Sequence, residues 1–115
     1  MWTIIQSEEF LLWYQELDEP ARVSIYEKML VLKEMGPKLG RPYVDTIKGS
    51  KFNNMKELRI QSKKRPFRIF FAFDPNRNAI LLTGGNKAGK KKFYEEMIIL
   101  ADDLFSKYLE DINEK

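Results

Sequence analysis

The sequence contains no cysteine and no histidine. The first absence excludes disulfides, zinc knuckles, iron–sulfur clusters and a thiol nucleophile; the second removes the commonest general base and metal ligand. Any catalysis therefore falls to carboxylates, Lys, Arg, Tyr or Ser, and neither a metal nor another cofactor is expected. Long apolar runs are missing too. The longest, such as Phe10 to Tyr14 and Ile69 to Phe73, are five residues, far short of the ~20 that a membrane helix needs. Glu8 and Glu9 stand where a signal peptide would carry basic charge. The expectation is a cytoplasmic chain without signal peptide or membrane span. At 115 residues and 13% aromatic content, it is expected to fold as a single domain over 1–115.

A formal charge of +3 conceals a strong segregation. Residues 1–35 hold three basic and seven acidic side chains, residues 36–92 fifteen and three, and residues 93–115 two and seven. A basic middle between acidic ends suits a polyanionic partner, because clustered Lys and Arg release counterions on meeting phosphates; the alternative is a solvated surface.

Trp2 to Ile5 is β-prone, and Ser7 before Glu8, Glu9, Phe10, Leu11, Tyr14 and Leu17 reads as an N-cap and helix. Asp18-Glu19-Pro20 starts a second helix, continued by Val23, Tyr26 and Met29 to Leu32 and ended by Gly36-Pro37. So short a link makes a helical hairpin. Residues 37–54 lack a period and read as a long basic loop. Met55–Ile60, Pro66–Phe73 and Ala79–Thr83 then read as three antiparallel strands, and Phe93, Met97, Leu100, Leu104, Tyr108 and Ile112 recur as a long amphipathic helix. The expected fold is α+β: an N-terminal strand and helical hairpin on a small antiparallel sheet, with a C-terminal amphipathic helix.

The stretch Gly84-Gly85-Asn86-Lys87-Ala88-Gly89-Lys90-Lys91 matches the spacing of a phosphate-cradling loop. The residue after its lysine is Lys91 rather than a magnesium-holding Ser or Thr, and no further strand follows to complete a parallel βαβ sheet. What remains is a glycine-rich joint before a helix N-terminus, flanked by lysines that can meet a phosphate.

Strand alternation puts Phe67, Ile69, Phe71 and Phe73 on one face and Arg68 and Phe70 on the other; Leu58 and Ile60 likewise oppose Glu57 and Arg59. One face is greasy and the other carries charge. A carboxylate beside several cations suits phosphoryl chemistry, the alternative being a cross-strand salt bridge from Glu57 to Arg68 or Arg59. Phe70 could there stack on a base.

The element order, together with Met55-Lys56-Glu57-Leu58-Arg59, Arg65 to Phe73 and Ile80-Leu81-Leu82-Thr83-Gly84-Gly85-Asn86-Lys87, resembles the RelE/HigB-like toxins of bacterial type II toxin–antitoxin modules. The resemblance implies a compact α+β ribonuclease fold, metal-independent cleavage of mRNA on the ribosome, and inhibition by a helix-turn-helix antitoxin. It implies that Arg68 binds phosphate, that Lys87 supplies a second cation, that Glu57 stands at a position used for a carboxylate or a lysine, and that Tyr94 orients the phosphate. The catalytic His of several relatives is missing, and Phe52 stands in the loop before Lys56. Lys48, Lys51, Lys56, Arg59, Arg65, Lys90 and Lys91 complete the expected RNA-binding set. The competing readings are a protein-binding gyrase inhibitor of ParE type and a catalytically decayed toxin that binds only its antitoxin.

Overall fold

The computed structural model describes residues 1–113. Ser7 caps the first helix as its sequence predicts: Oγ accepts from the Phe10 N–H at 3.0 Å and donates to the Leu82 carbonyl at 2.6 Å. One hydroxyl thus joins a helix start to a distant strand. After α1 (Glu8–Gln15), Asp18 accepts from the Ala21 N–H at 3.2 Å and caps α2 (Glu19–Met35), whose Pro20 lies in the first turn where no N–H is missed. Gly36, at φ 57°, ends α2 and opens a short 3₁₀ turn, Gly36–Lys38.

Five strands form one sheet: β1 (Thr3–Gln6), β2 (Val44–Thr46), β3 (Lys56–Ser62), β4 (Arg65–Phe73) and β5 (Asn78–Asn86), in the order β1-β5-β4-β3-β2. The sheet is mixed rather than wholly antiparallel, because β1 pairs parallel with β5. The connection between this parallel pair is long, holding the α1–α2 hairpin and then β2, β3 and β4. The expected loop over 37–54 also contains β2, three residues held by antiparallel pairing with β3.

The alternation of β3 and β4 holds, and each face has its own helical cover. On one side Phe10, Ala21, Ile25, Met29 and Leu32 pack on Leu58, Ile60, Phe67, Ile69 and Phe71. On the other, α3 (Phe93–Asn113) sets Phe93, Ala101 and Phe105 against Phe70, Ala72, Ile80 and Leu82. The second face is therefore not an open charged surface. Phe70 is 0% exposed, with the rings of Phe93 and Tyr94 each 6.0 Å from its own, so it stacks on neither a base nor a partner. The apolar stripe of α3 needs cover, and this part of the sheet provides it.

β5 also runs past Thr83 through Gly84, Gly85 and Asn86. The two glycines are packing positions rather than a flexible joint: a Cβ at Gly84 would lie 2.4 Å from the Trp13 ring, and one at Gly85 would lie 2.9 Å from the Phe93 ring. Pairing between β4 and β5 slips by one residue, since Phe70 faces Thr83 whereas Phe71 faces Leu81. The bulge at Leu82 leaves Arg68 directly opposite Gly85. Among the described residues, no helix is long and apolar enough to cross a membrane.

Candidate phosphate-binding site

Register builds the site. Arg59 on β3 stands directly opposite Arg68 on β4, and Glu57 stands opposite Phe70 on one side and Asp45 of β2 on the other. Like charges placed this way repel unless something lies between them. Glu57 does so for the arginines: its Oε2 accepts from Arg59 Nε at 3.2 Å and Nη2 at 3.0 Å, and its Oε1 lies 3.6 Å from Arg68 Nε. Arg59 separates the two carboxylates in turn, with Nη2 3.2 Å from Asp45 Oδ2, which also pairs with Arg41 at 3.2 Å. The result is an alternating chain of three guanidinium groups and two carboxylates, Arg41–Asp45–Arg59–Glu57–Arg68.

Tyr94 closes the site from the first turn of α3, its hydroxyl donating to Glu57 Oε1 at 2.6 Å. Burial, and next the bond to Glu57, raise the Tyr94 pKa above its ordinary value despite the opposing pull of Arg68. The hydrogen bond to Glu57 likewise raises that of Arg59, and the bond from Arg41 lowers that of Asp45. Glu57 is 4% exposed and engaged at both oxygens. Arg68 is different: Nη1 donates to the Phe67 carbonyl at 2.9 Å, but Nε is buried without a hydrogen-bond partner. A buried guanidinium N–H with no acceptor is costly unless a ligand supplies one, and phosphate oxygens match that fork well.

Of the residues singled out in the sequence, Glu57, Arg59, Arg68 and Tyr94 therefore meet. Lys87 lies close by in the chain path, where its N–H donates to the Pro66 carbonyl at 3.0 Å, and Lys90 and Lys91 are exposed in the turn before α3. Arg65 belongs to the opposite, hairpin-covered side, with Nη2 on Asp18 at 3.0 Å and its guanidinium over the Phe67 ring. Lys56 Nζ donates to Thr46 Oγ1 at 3.2 Å, further along β3. Lys48 and Lys51 are exposed in the segment after β2, which buried Asp102 of α3 fastens by accepting from the Ser50 hydroxyl and the Lys51 N–H. Sequence reading missed the part played by Asp45. Its signal was the Val-Asp-Thr stretch, too short to stand out without its partner strand. Among the described residues, no group of three His, Cys, Asp or Glu is placed to hold a metal ion.

Comparison with known proteins identifies the family of the chain. The profile of the phage-derived protein Gp49-like family (DUF891) matches residues 12–106. The candidate toxin HigB2 of Mycobacterium tuberculosis is 46% identical over 104 residues, covering 89% of this chain and 52% of that protein. The candidate toxin HigB3 of the same organism is 45% identical over 98 residues and 84% of each chain. The chain thus spans about half the length of the first relative and most of the second. Among solved structures, a mutant of the Escherichia coli toxin RelE in the free state superposes with a TM-score of 0.63 at 11% identity, over 85% of this chain and 94% of that one. A chain of the intact Escherichia coli RelBE toxin–antitoxin complex gives 0.57 at 10% identity, over 75% of this chain and 96% of that one. These last two likenesses carry the fold alone. With the match over 12–106 and the two HigB relatives, they show that the chain belongs to the Gp49-like, RelE/HigB-type family and has its α+β fold.

Proposed function

We propose that this chain is the toxin of a toxin–antitoxin module, an endoribonuclease that cuts mRNA on the ribosome and is held in check by a helix-turn-helix antitoxin. The observation that carries the reading is the half-buried Arg68, whose buried Nε has no hydrogen-bond partner and lies beside Glu57, Arg59 and Tyr94. The names of the two HigB relatives and the RelE-type fold support the toxin role.

In the proposed reaction a scissile phosphate accepts from Arg68, with Lys87 as a second cation and Tyr94 orienting it. Glu57 takes the proton of the ribose 2′-OH, whose oxygen attacks the adjacent phosphorus. The P–O5′ bond breaks, the 5′ oxygen takes a proton from water, and the products end in a 2′,3′-cyclic phosphate and a 5′-hydroxyl. Substrate must displace the Tyr94 hydroxyl to reach Glu57 Oε1.

A second reading, binding without cleavage, draws on the full engagement of Glu57. Purified protein added to translating ribosomes separates the two. Transcripts with cyclic phosphate ends, and a loss of ~10²–10⁴-fold in rate for Glu57→Gln, support the base role. Intact transcripts with stalled translation support binding alone, and ends bearing a 5′-phosphate would refute the 2′-OH attack.

A further inference from the structure

A groove of about 510 Å³ opens beside the phosphate-binding arginines, between α2 and β3. Glu27 and Lys28 of α2 form one wall, Tyr43 and Gln61 stand across from them, and Arg59 and Arg68 reach in from the site described above. The groove exists because β2 is short. The Tyr43 carbonyl accepts from the Arg59 N–H at 2.7 Å and the pairing goes no further, so the edge of β3 beyond Arg59 has no strand beside it.

We propose that this groove is a nucleotide subsite, in which the base of the residue next to the bound phosphate lies against Tyr43 while Arg59 and Arg68 hold the phosphate itself. The inference rests on the phosphate-binding reading of Arg68 and adds to it where the base goes. The volume suits one nucleotide rather than a helix or a long peptide, because pockets for small ligands begin at ~300 Å³. The lining presents Lys28, Arg59 and Arg68 against Glu27, with Glu57 and Asp45 set behind the two arginines. Tyr43 is 45% exposed, and Lys28 Nζ lies 4.0 Å from its ring centroid. The Lys28 ammonium lies over one face of the Tyr43 ring, so a base that stacks on that face takes the ammonium's place and leaves it to pair with the sugar–phosphate. Glu27 and Gln61 offer the polar atoms that a base edge needs. The rival occupant is an extended peptide pairing with the free edge of β3. It would use neither the cations nor the unpartnered Arg68 Nε.

Titration calorimetry at fixed ionic strength with AMP and with inorganic phosphate tests this, alongside backbone amide NMR. AMP should bind about tenfold more tightly than phosphate, the scale of one stacked base, and should shift the amides of Lys28 and Gln61. Tyr43→Ala should bring AMP down to the affinity of phosphate, and Tyr43→Phe should restore the gain. Tyr43 is a surface side chain, so either variant leaves the core intact. Phosphate binding without an advantage for AMP, or an advantage that survives in Tyr43→Ala, would overturn the subsite and leave the phosphate site standing; a groove built for peptide would give that same result. Failure of phosphate itself to bind would refute the phosphate site and the subsite together.

Discussion

Glu57 keeps two arginines from facing each other unopposed across β3 and β4, from a position 4% exposed to solvent. Removing one member of a buried ionic cluster is worse than never having had it, because the survivors remain charged and lose their counter-charge. Glu57→Ala is expected to destabilise the fold by roughly 2–4 kcal/mol, below the upper range for a buried pair because Arg59 is partly exposed and screened. Urea unfolding reads the change, and Glu57→Gln, which keeps an acceptor for Tyr94 and Arg59, should lose distinctly less. Equal losses in the two variants would show that the carboxylate charge contributes nothing. Ser7 gives a simpler case. Its hydroxyl serves the cap of α1 and the Leu82 carbonyl together, so Ser7→Ala should cost about 1–2 kcal/mol rather than the smaller loss of a solvent-facing cap.

At the scale of elements, α3 is fixed to the β4–β5 turn by Tyr108, whose hydroxyl donates to Asp74 Oδ2 at 2.7 Å. Burial and then the Asp74 carboxylate push the tyrosine pKa up to about 12, from 10.0. Burial also raises that of Asp74, but the hydrogen bonds from Asn78, Tyr108 and the Asn76 N–H outweigh it and hold the carboxyl below its usual 3.8. The two signs are opposite. The raised tyrosine contributes stability that is present below pH 10 and lost as pH climbs towards 12, whereas the lowered carboxyl contributes above pH 4 and is lost as pH falls further. Urea midpoints followed across this range should therefore fall at both ends, and Tyr108→Phe should flatten the alkaline fall. A midpoint in that variant with an unchanged alkaline fall would assign it elsewhere. The elements that were legible in sequence are those with local chemistry: the Ser7 and Asp18 caps, the Gly36 stop, the alternation of β3 and β4, and the stripe of α3. β2 and the parallel pairing of β1 were not, because a strand of three or four residues owes its existence to its neighbour. The site divides the same way. Alternation alone brings Glu57, Arg59 and Arg68 to one face, but the Tyr94–Glu57 bond depends on where α3 docks, and the groove beside Tyr43 on where β2 stops.

Over the whole molecule, the basic middle of the sequence is not spread evenly. Register carries Lys63 and Lys64, in the two-residue turn between Ser62 and Arg65, to the same end of the sheet as Arg59, Arg68 and the Lys87–Lys92 segment, since Asn86 pairs with Phe67 and Lys87 bonds to Pro66. Lys56 lies towards the other end, opposite Phe71, and Lys48 and Lys51 sit in the segment fastened to α3. Lys63 and Lys64 hold φ of 51° and 64°, a left-handed pair that usually goes to Asn-Gly. Two lysines here cost backbone energy and add charge beside the arginines. Lys64→Gly should accordingly stabilise the fold by about 1 kcal/mol, while weakening the attraction for RNA. Single-stranded RNA loses ~0.7 units of log-affinity against log-salt slope per phosphate contact removed. Replacing Lys64 by Gly should flatten the slope by up to that amount, and replacing Lys90 and Lys91 together by Ala by about twice as much. The pair Lys48 and Lys51, away from the arginines, should change it less. Equal flattening by both pairs would show RNA tracking the whole basic surface, and no flattening by Lys90 and Lys91 would remove that end of the sheet from the RNA path.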